Sequence, residues 1–109
     1  MEKESAVSAL AALAQETRLA IFRLLVRAGR NGLPAGEIAQ ALDVAPSSLS
    51  FHLAQLTHAG MVTQERQSRR LIYRADFAAM NRLVGFMLEN CCEGEACEAD
   101  SRLAEGTCS

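Results

Sequence analysis

The most reactive side chains in this sequence are four cysteines, all beyond position 90: Cys91 and Cys92 side by side, Cys97 after four intervening residues, and Cys108. Adjacent Cα atoms lie about 3.8 Å apart, short of the roughly 4.4–6.8 Å that disulfides span. A Cys91–Cys92 bridge would therefore be strained, and clustered thiols in a reducing compartment suggest metal or redox chemistry. Four thiolates are enough for zinc by count. Structural zinc sites, however, present their ligands in closely spaced pairs, a pattern from which C-C-x4-C-x10-C departs. Neighbours on a helix do not face each other, so the first two sulfurs converge only if the helix ends at Asn90–Cys92. Gly94 then lets the chain turn Cys97 back towards them. The plain alternative is that Cys91 extends an apolar stripe as a small buried hydrophobe.

The elements that must hold these thiols belong to one small domain of 109 residues, with five aromatic side chains and no tryptophan. No apolar run approaches the roughly 18 residues of a membrane span, and the opening Met1-Glu2-Lys3-Glu4 is not a signal peptide. A cytoplasmic protein is expected. Charge divides along the chain: residues 1–88 carry ten Lys/Arg against seven Asp/Glu, whereas residues 89–109 carry six acids against Arg102 alone. The net charge of −2 thus hides a mildly basic body and an acidic tail, which keeps nucleic acid open as a partner. Residues 1–90 read as the folded domain, and 91–109 as a cysteine-containing acidic tail.

Helical periodicity is expected over residues 5–14. It continues in "QETRLAIFRLLVRAG", where Leu19, Phe22, Leu25 and Val26 form an apolar set closed by Gly29. A third helix from Pro34 turns Ile38, Ala41 and Leu42 inward, and a fourth runs from Pro46 to Gly60. In the fourth, Leu49, Leu53 and Leu56 make one buried stripe. Ser47, Phe51, Gln55 and His58 project from the opposite side, flanked by Ser48 and Ser50, and there is no acid from 44 to 60. That is an unusual composition for a merely solvated face. Two short β-like runs follow around a Gln67-Ser68 tip, with Arg66, Arg69, Arg70 and Arg74 opposed within the hairpin only by Glu65, a balance suited to phosphate contact. A last helix from Phe77 to about Asn90 carries Phe77, Met80, Val84, Met87 and Leu88, a stripe continuing into Cys91.

This order of elements is mainly α with a small β-hairpin, a winged helix-turn-helix. The segments "LAQETRLAIFRLL" (13–25) and "GEIAQALDVAPSSLSFHLAQLTHAGMV" (36–62), with the basic wing, resemble the ArsR/SmtB family of metal-responsive repressors. The likeness covers roughly residues 10–88 and is most specific at Ser50-Phe51-His52-Leu53. It implies a homodimer packed through the first and last helices, with two recognition helices in successive major grooves of operator DNA, about 34 Å apart. By position Ser47, Ser48, Ser50, Phe51 and Gln55 would approach the DNA, with Arg69 and Arg70 on the wing. His52, about 60° from the centre of the buried stripe, would pack or touch phosphate in preference to reading a base.

Two features of the family are missing. Arsenic-responsive members often carry a cysteine pair near the start of the recognition helix, where this chain has Leu42-Asp43-Val44-Ala45. Zinc-responsive members place Asp and His along the last helix, and no histidine follows Asp76. A sensor would therefore have to be the tail. As(III), a soft centre that binds three thiolates in a pyramid, suits Cys91, Cys92 and Cys97, with Cys108 in reserve. Sb(III) is equivalent by sequence, and monomethylarsenite needs only Cys91 and Cys92. The competing expectations are a Zn-, Cd- or Pb-responsive repressor, a thiol-redox sensor, and a zinc-stabilised winged-helix interaction module. Enzyme chemistry is disfavoured: no phosphate-cradling glycine loop and no nucleophile–base pair is visible.

Overall fold

The computed structural model describes residues 1–91. Helix α1 (Lys3–Leu13) turns Ala6, Ala9 and Ala12 into the core, while Val7 and Leu10 stay exposed, 60% and 40%. Small residues inward allow close helix approach, and the larger apolar ones are left outside. A sharp corner follows, in which the Gln15 side chain accepts the Arg18 N–H at 2.8 Å and caps α2 (Glu16–Ala28); such a cap contributes roughly 1 kcal/mol.

Helix α2 buries Ile21, Phe22 and Leu25, whereas Leu19 and Val26 remain exposed. The expected set was half right. At about 100° per residue the Ile21–Phe22–Leu25 centre lies roughly a quarter turn or more from both Leu19 and Val26. Gly29 (φ 66°) ends α2, a 3-10 turn spans Gly29–Asn31, and Gly32 (φ 64°) leads into β1 (Leu33–Pro34). Helix α3 (Ala35–Leu42) begins one residue later than expected and buries Ile38; Ala41 is exposed, against expectation, and Leu42 is half-buried. Asp43 closes it in the left-handed region, φ 53°, which Asp tolerates better than most residues.

Helix α4 (Pro46–His58) starts on proline at its first turn and buries Leu49, Leu53 and Leu56, as the stripe predicts. Each such leucine contributes roughly 1.5–3 kcal/mol. Strands β2 (Val62–Gln67) and β3 (Arg70–Ala75) pair antiparallel from Val62↔Ala75 to Gln67↔Arg70. The tip is therefore Ser68-Arg69, one residue beyond the expected pair, with Ser68 at φ 57°. Strand β1 joins the outer side of β3 through Leu33↔Tyr73 and Pro34↔Ile72, making a three-stranded sheet of order β1-β3-β2. Helix α5 (Phe77–Met87) is capped by Asp76, whose carboxylate accepts the Ala79 N–H at 3.0 Å. It buries Ala79 and Leu83 and leaves Met87 61% exposed. No helix among the described residues is long and apolar enough to cross a membrane.

Candidate nucleic-acid interface and thiol site

With Leu49, Leu53 and Leu56 holding one side of α4 in the core, the opposite side is fixed outward. Ser47, Ser48, Ser50, Gln55 and His58 are exposed, and Phe51 is 58% exposed. The face offers hydroxyls, an amide and an aromatic ring, and no acid lies on α4 to repel phosphate. A shallow cleft between α4 and the wing is lined by Ser50, Thr57, His58, Gln64 and Tyr73, so the two surfaces stand side by side.

His52 is half-buried, as its position on the helix predicts. Its Nδ1 lies 3.2 Å from Arg18 Nη1 of α2, and its ring meets Phe51 edge-on with centroids 5.5 Å apart. Arg18 carried no assigned role in the sequence. Only the fold brings positions 18 and 52 together.

The four wing arginines differ in commitment. Arg74 donates to Glu65 at 2.7 Å and to the Arg30 carbonyl at 2.6 Å. Arg70 pairs at 2.8 Å with Glu37 of α3, both side chains more than half exposed. Arg66 and Arg69 make no ion pair among the described residues and are exposed. The Arg74 hydrogen bond holds the Glu65 carboxyl below the usual range, helped by a bond from Gln67 and the Arg74 charge. Wing charge available to phosphate is thus concentrated at Arg66 and Arg69, and Arg66 joins the set read from sequence.

Helix α5 ends at Met87, three residues short of the expected Asn90, with the Leu88 N–H still donating to the Val84 carbonyl at 3.1 Å. Asn90 takes φ 59°, and Cys91, half-buried, donates its N–H to the Leu88 carbonyl at 3.0 Å. The first thiol therefore sits past the helix, on a chain that has already turned. Cys92, Cys97 and Cys108 lie outside the described residues. Among the described residues no cluster of three or more His, Cys, Asp or Glu side chains can hold a metal ion. Asp76, the one acid at the place used by zinc-responsive relatives, is engaged as the α5 cap.

A mainly helical body with an antiparallel wing and an acid-free helix face defines a winged helix-turn-helix DNA-binding protein. A family model described as a helix-turn-helix domain matches residues 13–65. A Halobacterium salinarum protein assigned to repression of an arsenical resistance operon is 44% identical over 66 residues, 61% of this chain; the chain spans about half of that relative's length. The transcriptional activator HlyU of Vibrio cholerae is 32% identical over 95 residues, covering 85% of each chain. The structure of an ArsR-like transcriptional regulator from Rhodococcus sp. RHA1 superposes with a TM-score of 0.71 at 32% identity, covering 94% of this chain and 89% of that one. The chain belongs to the ArsR/SmtB family of winged-helix transcription regulators. Family and fold are those of DNA-binding regulators, not enzymes.

Proposed function

We propose that this regulator is a homodimeric repressor that grips operator DNA with α4 and the wing and releases it when As(III) is captured at the end of α5. The observation that carries the DNA reading is the exposed, acid-free face of α4 beside the uncommitted arginines Arg66 and Arg69. Ser47, Ser48, Ser50, Phe51 and Gln55 face the major groove, and Arg69, with Arg66, meets phosphate. Val7 and Leu10 on α1 and Met87 on α5 are large apolar side chains left in water by the single chain. A second copy covering them supports dimerisation through the first and last helices.

For the inducer, the support is donor chemistry and chain path. Cys91 lies beyond the last regular turn of α5, so the regular geometry of α5 does not dictate where its thiol points. Three soft thiolates from Cys91, Cys92 and Cys97 match a trivalent soft centre such as As(III) or Sb(III). Cys108 remains a reserve ligand. Ligand capture weakens DNA binding by the factor with which the ligand prefers the DNA-free form.

The test uses a duplex that the protein selects from a random-sequence pool, followed by fluorescence anisotropy during titration with As(III), Sb(III), Zn(II) and Cd(II). Release by the first two, abolished in the triple Cys91/Cys92/Cys97→Ser protein, is expected. Release by zinc or cadmium alone, or a triple variant that still responds to arsenite, overturns the inducer assignment. A reporter placed behind the selected site checks polarity, since HlyU is an activator: arsenite should raise expression.

A further inference from the structure

The guanidinium of Arg18 is shared between two elements. Its Nε donates to the Ala12 carbonyl in the last turn of α1 at 2.6 Å, and its Nη1 lies 3.2 Å from His52 Nδ1 on α4. The Arg18 backbone N–H is itself fixed by the Gln15 cap at 2.8 Å, so the fork projects from a rigid corner. A guanidinium has donors and no acceptor. Wherever this contact is made, Nδ1 must be the bare nitrogen, and the ring proton sits on Nε2. No buried side-chain nitrogen or oxygen among the described residues lacks a hydrogen-bond partner. Nε2 has no partner within the described fold, so it reaches the surface of the recognition helix, beside the exposed Phe51.

We infer that Arg18 is a positioning residue: it locks His52 as a neutral Nε2–H donor for a DNA phosphate and ties that donor to the end of the dimerisation helix α1. The inference rests on the reading of α4 as the DNA-contacting helix. It assigns each partner a different job. His52 contributes a directed hydrogen bond without charge, so its contact releases no counterion. Arg18 contributes geometry from behind the interface and touches no DNA. Because the same fork holds the Ala12 carbonyl, a shift of α1 relative to α4 must break one of the two bonds. Rearrangement of the dimer is thereby felt at a DNA-contacting atom. The planar fork matters here, since two N–H groups diverge to two fixed acceptors at once, an arrangement that the point charge of lysine does not reproduce.

The experiment begins with the unmodified protein. Long-range 15N–1H correlation of the His52 ring at neutral pH should show a pyridine-like Nδ1 and a protonated Nε2. A protonated Nδ1 overturns the inference without any variant being made. In Arg18→Gln and Arg18→Lys the ring should lose this single tautomer, with the fold checked by circular dichroism. Binding to the selected duplex is then followed against salt. Loss of one hydrogen bond corresponds to about two- to tenfold weaker binding, so loss of one from each protomer of the dimer corresponds to about four- to hundredfold. The slope of log K against log salt should not change in Arg18→Gln or His52→Ala, because neither removes a charge from the phosphates. His52→Gln, whose amide N–H can occupy the Nε2 position, should recover most of the affinity. A slope reduced by about 0.9 per protomer in Arg18→Gln would mean that Arg18 meets phosphate itself and would overturn its positioning role. If no duplex is selected, the DNA reading fails, while the tautomer measurement still judges the Arg18–His52 lock separately.

Discussion

Replacing Gly32 by alanine should cost far more stability than replacing Gly29, although the two glycines share almost the same φ. Gly29 sits at φ 66°, ψ −146° and Gly32 at φ 64°, ψ −169°, a region that only glycine occupies without strain, at about 1–3 kcal/mol for any other residue. That conformational cost is common to both. Their surroundings are not. A Cβ on Gly29 meets nothing within 4 Å, whereas one on Gly32 would overlap the Tyr73 carbonyl oxygen and come within 2.7 Å of Arg74 Cγ and 2.9 Å of Ile72 Cγ2. The carbonyl cannot retreat without disturbing the pairing of β1 with β3, so an overpacking cost of about 1–3 kcal/mol adds to the first. Gly29→Ala should thus lose about 1–3 kcal/mol and Gly32→Ala about 2–6. For a domain of this size, each kcal/mol lowers the midpoint by about 4–8 °C. Urea and thermal melts at one matched protein concentration, needed because dimerisation feeds into apparent stability, measure the difference. Equal losses for the two variants would refute the steric argument and with it the close approach of the turn to β3.

The remaining predictions concern charge and assembly. Arg66→Ala and Arg69→Ala should each reduce the salt slope of DNA binding by about 0.9 per protomer. Arg70→Ala should reduce it less, and Glu37→Gln should tighten binding by freeing Arg70; equal slopes for Arg69→Ala and Arg70→Ala would contradict the pairing. Leu10→Glu or Met87→Glu should yield a helical monomer by light scattering, and a persistent dimer would rule out packing through α1 and α5. Glu65, held low first by its Arg74 hydrogen bond, should titrate by NMR below the usual glutamate range. Because its folded value is depressed, the stabilisation it brings is present above the unfolded pKa and disappears as pH falls through the folded value. An Arg74→Met protein should move the titration most of the way back towards its ordinary position, the Gln67 bond alone still holding it low.

What sequence could reveal followed from the physical range of each signal. The α4 stripe was legible because three leucines at i, i+4 and i+7 fix one phase and polar residues fill the other. Helix α2 was ambiguous for the opposite reason. Apolar residues at 19, 21, 22, 24, 25 and 26 cover more than half its circumference, so periodicity cannot choose between Leu19 and Ile21. Packing against α4 and β3 makes that choice. Strand β1 is two residues long and contains a proline, too short to show any alternation. The Arg18–His52 and Arg70–Glu37 contacts join positions 34 and 33 apart, and no local pattern encodes them. Among the candidate thiols, the sequence supplied spacing, and the fold added that α5 ends before Cys91.

The cap on α5 also sets a cost for anyone who would rebuild this protein to sense a different metal. Introducing histidines along α5 to complete a carboxylate–imidazole zinc site would draw on Asp76, one of whose oxygens already holds the Ala79 N–H at 3.0 Å. If the metal reoriented that carboxylate, it would forfeit a cap worth about 0.5–2 kcal/mol, and roughly tenfold in affinity would be lost for each 1.4 kcal/mol. Moving the cap to a serine or asparagine cannot help at the same position, because cap and ligand are one residue. A designed zinc variant would do better to leave Asp76 in place and recruit its second oxygen alone.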